Sequence, residues 1–239
     1  MVNMSEQKVH SALSSKTRAE ILKLLYKKPL DVEEIAQKLK LQPVSIRHHL
    51  QSLEEAGLLE CTEERSGSAG RPKTRYKIAS SPPAITFPAR RYLFFSGILI
   101  DSLMHIVGKA KVYGIMGKVG RRMGRETVEQ MVQRYNVTKW TPKEFEEIFV
   151  GKYLQEAGTE PEIAEKSDKK IVVRLHNCIF SELSMKMPEL MCDVAHKEFF
   201  HAASEVMGGN IKVTQATCLG RGDIYCEHIF EWKSDETEQ

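Results

Sequence analysis

The sequence predicts an α+β protein in three parts: an N-terminal domain of helices and a strand hairpin, a central helical region, and a small C-terminal α+β domain. Three observations predict it. Near the N-terminus, two segments with helical hydrophobic spacing precede two strand candidates. A stretch rich in proline and serine then separates this region from a long apolar helix. Strand patterns return toward the C-terminus, and a chain of 239 residues is long enough for a second core.

The first two helices are predicted from caps and spacing. Segment 31–39, DVEEIAQKL, predicts a helix that is capped by Asp31. After a short turn, a second helix is expected to begin near Pro43 and to end at Gly57. The apolar positions that recur at helical spacing in the two segments are Ile35, Ala36, Leu39, Ile46, Leu50 and Leu53.

A basic hairpin follows these helices. Segments 58–64 and 73–78 are strand candidates, and the loop between them, RSGSAGRP, has the residues of a hairpin tip. Helix, turn, helix and hairpin together predict a winged helix-turn-helix over residues 1–80, with the loop as its wing. Residues 1–80 hold 14 Lys and Arg against 10 Asp and Glu, whereas the remainder holds 21 against 22. The positive charge therefore lies on this domain, with a wing cluster of Arg65, Arg71, Lys73, Arg75 and Lys77.

Helix geometry predicts which side chains contact DNA. If the apolar positions of the second helix face the core, its opposite face enters a major groove. There Arg47 can bind guanine, Gln51 can bind adenine and Val44 can contact a thymine methyl group. Arg71 and Lys73 are expected at phosphates or in a minor groove. The expected DNA-binding residues are Val44, Ser45, Arg47, His48, Gln51, Arg65, Arg71 and Lys73.

SIRHHLQSLEEAGLLE, together with GRPKTRYKI, resembles the DNA-binding domain of ArsR- and DeoR-type bacterial and archaeal repressors. The resemblance implies a double-stranded DNA operator as the partner. A winged helix that binds another protein is the alternative, and the excess of positive charge argues against it.

A linker and a long helical region come next. Segment 79–88, ASSPPAITFP, holds three prolines, and we expect an extended linker at 81–88. Residues 89–135 have a helical pattern, within a helical region that we place at 89–140. We expect it to pair with its copy in a homodimer; a core helix within one subunit is the alternative. Its glycines do not match a phosphate-binding loop, so they predict close helix contact. Its apolar face comprises Leu93, Phe94, Ile98, Leu99, Leu103 and Ile106.

Membrane insertion is not expected. The longest apolar stretch, 92–107, has 16 residues and contains Asp101 and His105. It is shorter than the ~20 apolar residues that a membrane span needs. Because the N-terminus is also polar and lacks a signal-peptide pattern, we expect a soluble cytoplasmic protein.

Residues 141–239 predict an α+β domain. A helix begins after Thr141, a strand hairpin turns at 166–169, and a second helix extends over 191–206. Two strands flank the sequence LGRGD. In the last strand, alternation places five residues on one face, namely Ile224, Cys226, His228, Phe230 and Trp232.

Four of the five cysteines lie in this domain. Cys178, Cys192, Cys218 and Cys226 are separated by 13, 25 and 7 residues, and Cys61 lies in the wing strand. Nothing indicates secretion, so metal ligation explains four thiols better than disulfides do. The spacing does not match a zinc ribbon or a ferredoxin.

NC-x13-C followed by a helix, and then C-LGRGDIY-C-x-x-x-F, resembles the C-terminal domain of SufR-like repressors. The last segment is also similar to 4-vinyl-reductase-like sensor domains. The resemblance implies an iron-sulfur cluster, 4Fe-4S rather than 2Fe-2S, on Cys178, Cys192, Cys218 and Cys226. Whether all four bind stays open, because such repressors can use three cysteines and another group. The nearby histidines are His176, His196, His201 and His228.

The expected function is a non-enzymatic, homodimeric transcriptional repressor that senses an iron-sulfur cluster. No grouping of a nucleophile, a histidine and a carboxylate stands out in the sequence. Two alternatives remain open: a zinc-stabilised regulator that binds a small hydrophobic or anionic effector, and a reductase-like enzyme fused to a DNA-binding domain.

Overall fold

The computed structural model describes residues 4–64, 73–79, 82–83 and 90–233. The chain divides into two compact units, residues 1–90 and residues 91–239. Both contain helices and an antiparallel sheet, so the predicted α+β class is confirmed.

The first unit contains four helices and a hairpin. These are α1 (Met4–Leu13), α2 (Lys16–Lys27), α3 (Val32–Leu39), α4 (Pro43–Glu55), β1 (Leu59–Glu64) and β2 (Lys73–Ile78). Their apolar faces share one core. An isolated backbone bridge joins Leu30 to Tyr76 of β2.

The helix-turn-helix forms where the sequence predicts it. Asp31 caps α3, and its carboxylate accepts from the backbone N–H of Glu34 while the Glu34 side chain accepts from the N–H of Asp31. Lys40 ends α3 in the left-handed region, with φ 55°. Pro43 is in the first turn of α4, and Gly57, with φ 71°, follows its end. The caps and the turn set the angle between α3 and α4.

The second unit begins with two helices in place of one continuous helical region. They are α5 (Tyr92–Val107) and α6 (Lys109–Tyr135), and Gly108 between them has φ 85°. The predicted helical region therefore breaks at Gly108, because a residue at this φ cannot continue a right-handed helix. Among the described helices, none has the length and apolar character needed to cross a membrane.

A four-stranded sheet with helices completes this unit. After α7 (Pro142–Glu144), which continues as a π-helical segment at Phe145–Leu154, come β3 (Pro161–Lys166), β4 (Lys170–Leu175) and α8 (Ser181–Lys186). A second π-helical segment, Glu189–His196, leads into α9 (Lys197–Val206), and β5 (Ile211–Thr217), a 3-10 turn at Leu219–Arg221 and β6 (Cys226–Trp232) follow. All pairings are antiparallel, in the order β3-β4-β6-β5.

The sheet contains the predicted hairpin, but its last strand begins later than the sequence predicts. The β3–β4 turn lies between Lys166 and Lys170. In β6, Cys226, His228, Phe230 and Trp232 are buried and alternate with less buried neighbours. Ile224, however, precedes the strand and is 67% exposed, because strand pairing begins only at Cys226.

Gly117, Gly120 and Gly124 of α6 lie against the helix formed by the second π-helical segment and α9, as predicted. A Cβ atom at Gly120 would overlap the carbonyl oxygen of Ala195, and one at Gly124 would overlap that of Phe199. The close approach therefore requires glycine at both positions. At Gly114, by contrast, an added Cβ atom would have no neighbour within 4 Å.

Candidate DNA-binding face and cysteine site

One face of α4 is buried and the opposite face is exposed. Ile46, Leu50 and Leu53 are fully buried and fix the helix against the core of the first unit. The opposite face brings together five of the expected DNA-binding residues, which are all exposed: Val44, Ser45, Arg47, His48 and Gln51.

Two of these side chains have carboxylate partners. Arg47 Nη2 lies 3.0 Å from Glu33 Oε1 on α3, and Gln51 Nε2 donates to Glu55 Oε1 at 2.9 Å. The Arg47–Glu33 pair is exposed on both sides. Exposed pairs of this kind contribute little free energy, so a base or phosphate can replace the carboxylate at small cost.

The wing residues divide into two groups. Lys73 is 68% exposed at the start of β2, with its Nζ 3.7 Å from Asp31 Oδ2, whereas Arg65 and Arg71 lie outside the described residues. Arg75 instead donates to Glu34 Oε2 at 3.1 Å and to the Pro29 carbonyl at 3.2 Å. Lys77 Nζ pairs with Glu60 Oε1 at 2.9 Å. Arg75 and Lys77 lie on the wing strand β2, as the sequence predicts, and both make ion pairs within the domain.

The second site contains four cysteines from separate segments. Cys178 precedes α8, Cys192 lies in the second π-helical segment, Cys218 follows β5, and Cys226 begins β6. Cys178 is half-buried and the other three are buried, and each has a free thiol. Cys61 is exposed in β1 of the other unit.

The thiols lie near one another. Cys178, Cys218 and Cys226 are close enough to Cys192 to interact with it electrostatically, and Cys178 and Cys218 interact in the same way with Cys226. Burial raises the pKa of Cys226 to about 12 and also raises that of Cys192 above its usual range, with further contributions from neighbouring thiols. In the absence of a bound cation, these two groups are therefore neutral thiols.

Gly220 leaves the space that Cys192 occupies. A Cβ atom at position 220 would lie 2.9 Å from Cys192 Sγ and 3.0 Å from the carbonyl oxygen of Ser184. Ser184 is buried on α8, and its Oγ lies 3.4 Å from Cys178 Sγ. Residue 220 must therefore be small for α8 and the Cys192 segment to meet at the 3-10 turn.

Two further hydrogen bonds fix the turn around the sulfur atoms. The Leu219 N–H donates to Cys226 Sγ at 3.2 Å, and the Cys218 N–H donates to Asp223 Oδ2 at 2.7 Å. The first bond points a backbone dipole at sulfur, which stabilises a thiolate. Sequence reasoning did not identify Ser184 or Asp223. Asp223 could have been found from the sequence, because it lies only five residues after Cys218 in the glycine-containing turn.

The four thiols are chemically suited to bind a metal. Thiolates are soft ligands that suit zinc and iron-sulfur clusters. Within the described ranges, however, no group of three or more His, Cys, Asp or Glu side chains already has metal-binding geometry. Metal binding would therefore require the thiols to change position.

The four neighbouring histidines are placed differently. His196 and His228 lie with ring centroids 5.4 Å apart, and burial lowers their pKa values to about 4 and about 3. His176 Nε2 lies 2.7 Å from Glu162 Oε2, and His201 is exposed. His228 is buried and His196 is half-buried, and both are held as neutral imidazoles, the form that can ligate a metal.

An apolar cavity of about 240 Å³ adjoins the cysteines. Cys178 and Cys226 contribute to its wall. Sequence reasoning did not locate it, because its lining comes from segments far apart in the chain. Its apolar and aromatic lining includes Met116, Met123, Tyr153, Phe180, Met191 and Phe199.

Comparison with known proteins gives one family match. Residues 15–60 match the model of the bacterial regulatory protein, arsR family. No curated protein matches the chain. Among solved structures, it is similar to a trafficking protein particle complex subunit 3 from Naegleria fowleri covalently bound to palmitic acid. Identity is 13%, the match covers 59% of this chain and 92% of the other, and the TM-score is 0.39. The matched residues cover α2, α3 and α4, so this segment is similar to the helix-turn-helix of ArsR-family regulators, which indicates a DNA-binding transcriptional regulator.

Proposed function

We propose that this chain is a homodimeric transcriptional repressor whose affinity for a double-stranded operator is controlled by an iron-sulfur cluster on Cys178, Cys192, Cys218 and Cys226. The observation that carries the proposal is the convergence of four thiols from separate segments of a chain that also has an ArsR-type DNA-binding domain.

The first unit binds the operator. The exposed face of α4 enters a major groove, where Arg47 exchanges Glu33 for the edge of a guanine. Lys73 gives up its long contact with Asp31 and binds a phosphate. Two copies place two α4 helices in successive major grooves, so the operator has two half-sites about one helical turn apart.

The second unit holds the cluster. The Leu219 N–H already donates to one sulfur atom, and hydrogen bonds of this kind tune cluster stability. Gly220 keeps the turn close to Cys192. A bound cluster supplies a group whose presence depends on iron, sulfide and oxidants.

The segment that carries Cys192 connects the cysteine site to α6. It continues into α9, and the Ala195 and Phe199 carbonyls of this continuous helix contact Gly120 and Gly124 of α6. Close-packed contacts of this kind transmit a displacement and do not absorb it. A change at Cys192 therefore reaches α6.

A second candidate is a zinc-stabilised regulator that binds a small apolar effector. Two observations favour it. The thiols lie near one another, and a single tetrahedral zinc can bind four thiolates with bonds of about 2.3 Å. The apolar cavity of about 240 Å³ beside the cysteines has room for a small molecule.

Metal and sulfide analysis of anaerobically purified protein distinguishes the two candidates. The iron-sulfur proposal expects brown protein with iron and acid-labile sulfide, and visible absorbance that disappears in air. Colourless protein with one zinc per chain would support the second candidate. Protein that retains neither metal after reconstitution would overturn both.

A further inference from the structure

The second unit has another pocket, of about 500 Å³, which is lined by residues of α9 and β5. Residues 213–217 of β5 all belong to its lining. Because consecutive residues of a strand point to opposite faces, a wall made of all five includes the edge of the strand. In the described sheet β5 is an edge strand, so this wall offers backbone groups that have no strand partner. The volume is typical of a site for a small molecule.

One polar atom of the lining lacks a partner. His228 lines the pocket and is 2% exposed, and its Nε2 has no hydrogen-bond partner among the described residues. The ring of Phe200, which also lines the pocket, lies 4.4 Å from the His228 ring, centroid to centroid. A buried polar group without a partner is costly, and a bound ligand can supply what is missing.

The charges of the pocket favour an anion. Lys197 is exposed and has no ion-pair partner in the described part of the chain. The two carboxylates of the described lining are engaged: Asp193 pairs with Arg221, and Asp223 accepts from the Cys218 N–H at 2.7 Å. The Asp193–Arg221 pair is about half exposed on both sides, so Arg221 can exchange its partner at small cost. A ligand therefore meets one uncommitted cation and a second that it can recruit.

The same lining contains apolar surface. Phe200, Val213 and Ala216 contribute to it, beside the charged side chains. A ligand that matches all these groups has one negatively charged group, a compact apolar body and a size suited to about 500 Å³. Small organic acids have this combination.

We propose that the pocket between α9 and β5 binds a small organic acid, whose carboxylate pairs with Lys197 and whose apolar body packs against Phe200 and Val213. The inference goes beyond the proposed function, because a cluster on the cysteines requires no ligand here. Cys218 and Asp223 also line the pocket, so a bound acid adjoins the cysteine site.

The first test is calorimetric titration of the full-length chain with benzoate, a probe that has one carboxylate and a flat apolar body. Removal of a hydrogen bond to a charged group should weaken benzoate binding by at least about tenfold in Lys197→Ala. The matched control is Lys212→Ala, because Lys212 is an exposed lysine of β5 outside the pocket lining. It should retain the wild-type affinity. Benzamide, which has the same shape without the charge, should bind the wild type much more weakly than benzoate does.

The second test locates the probe. Ala216→Trp places a large side chain at an exposed position of β5 that lines the pocket, and it should block benzoate binding. In nuclear magnetic resonance spectra of the histidine side chains, benzoate should shift the His228 signals, assigned with His228→Gln. His176 is the internal control: its Nδ1 is also buried without a partner among the described residues, but it lies outside the pocket lining. Its signals should not move.

Four outcomes overturn the proposal: no measurable benzoate binding, equal affinities for benzamide and benzoate, equal losses in Lys197→Ala and Lys212→Ala, or full affinity in Lys197→Ala. The last would place the probe in the apolar cavity instead. Benzoate binding of the expected kind by a protein that retains no metal would leave the pocket standing and refute the cluster. A brown protein that fails the benzoate tests would do the reverse.

Discussion

Gly124 of α6 lies so close to Phe199 of α9 that a Cβ atom on the glycine would overlap the Phe199 carbonyl oxygen. Gly120 has the same relationship to Ala195, one turn earlier. The helix that contacts α6 here also carries Cys192 near its start. These two glycine contacts therefore join α6 to the helix that carries Cys192.

Gly124→Ala should destabilise the second unit. The new methyl group forces α6 and α9 apart, and overpacking of this kind costs about 1–3 kcal/mol in the free energy of unfolding. Urea denaturation followed by tryptophan fluorescence measures it, since Trp140 and Trp232 are both buried in this unit.

Gly114→Ala is the matched control on the same helix. No atom lies within 4 Å of the added methyl group, and alanine favours a helix over glycine by about 1 kcal/mol. We expect unchanged or higher stability. Equal stability of the two variants would show that α6 and α9 do not require the close contact.

Arg47→Ala should relax base preference at one or two positions of the operator. It removes a bidentate donor, and the expected loss on the preferred sequence is about 1–3 kcal/mol. Fluorescence anisotropy with a duplex selected from random-sequence DNA, and with single-base variants of it, measures the effect. If the variant retains full discrimination, Arg47 does not contact a base.

Lys73→Ala and Arg71→Ala should instead reduce the salt dependence of DNA binding. Each removes one phosphate contact, so the slope of log affinity against log salt should fall by about one unit while base preference stays the same. Arg75→Ala is the informative comparison. Because Arg75 joins β2 to Glu34 and to the Pro29 carbonyl, we expect it to lower the stability of the first unit. If the salt slope is unchanged in both Lys73→Ala and Arg71→Ala, the wing does not contact DNA.

Serine at Cys192, Cys218 or Cys226 should abolish or sharply weaken cluster retention. A hydroxyl group is a poor substitute for a thiolate on iron. Cys61→Ser should retain the cluster, because Cys61 lies in the other unit. Iron and sulfide per chain, together with visible absorbance, are the readouts. Loss of colour in Cys61→Ser with retention in Cys218→Ser would contradict the proposed ligands.

The sequence predicted the first unit well because its signals are local. Asp31, Pro43 and Gly57 mark helix ends through their own backbone chemistry. The break at Gly108 was missed because the apolar pattern continues across it. Ile224 was assigned to the last strand by alternation, which does not show where the Gly222 turn ends and pairing begins.

The cysteine site was predictable only in part. Segregation of four cysteines indicated one site, whereas their contacts depend on how β5, β6 and two helices assemble. Ser184 and the apolar cavity depend on the same assembly, so no stretch of sequence signals them.

The proposed function requires that the cysteine site controls DNA affinity. Its most direct test is an anaerobic anisotropy titration of the selected duplex with reconstituted protein, with the same protein after cluster removal, and with Cys218→Ser. We predict that the cluster changes the affinity for the selected duplex by about 5- to 150-fold, with little change for a shuffled duplex and no response in Cys218→Ser. Equal affinities of the reconstituted and cluster-free protein for the selected duplex would contradict the account.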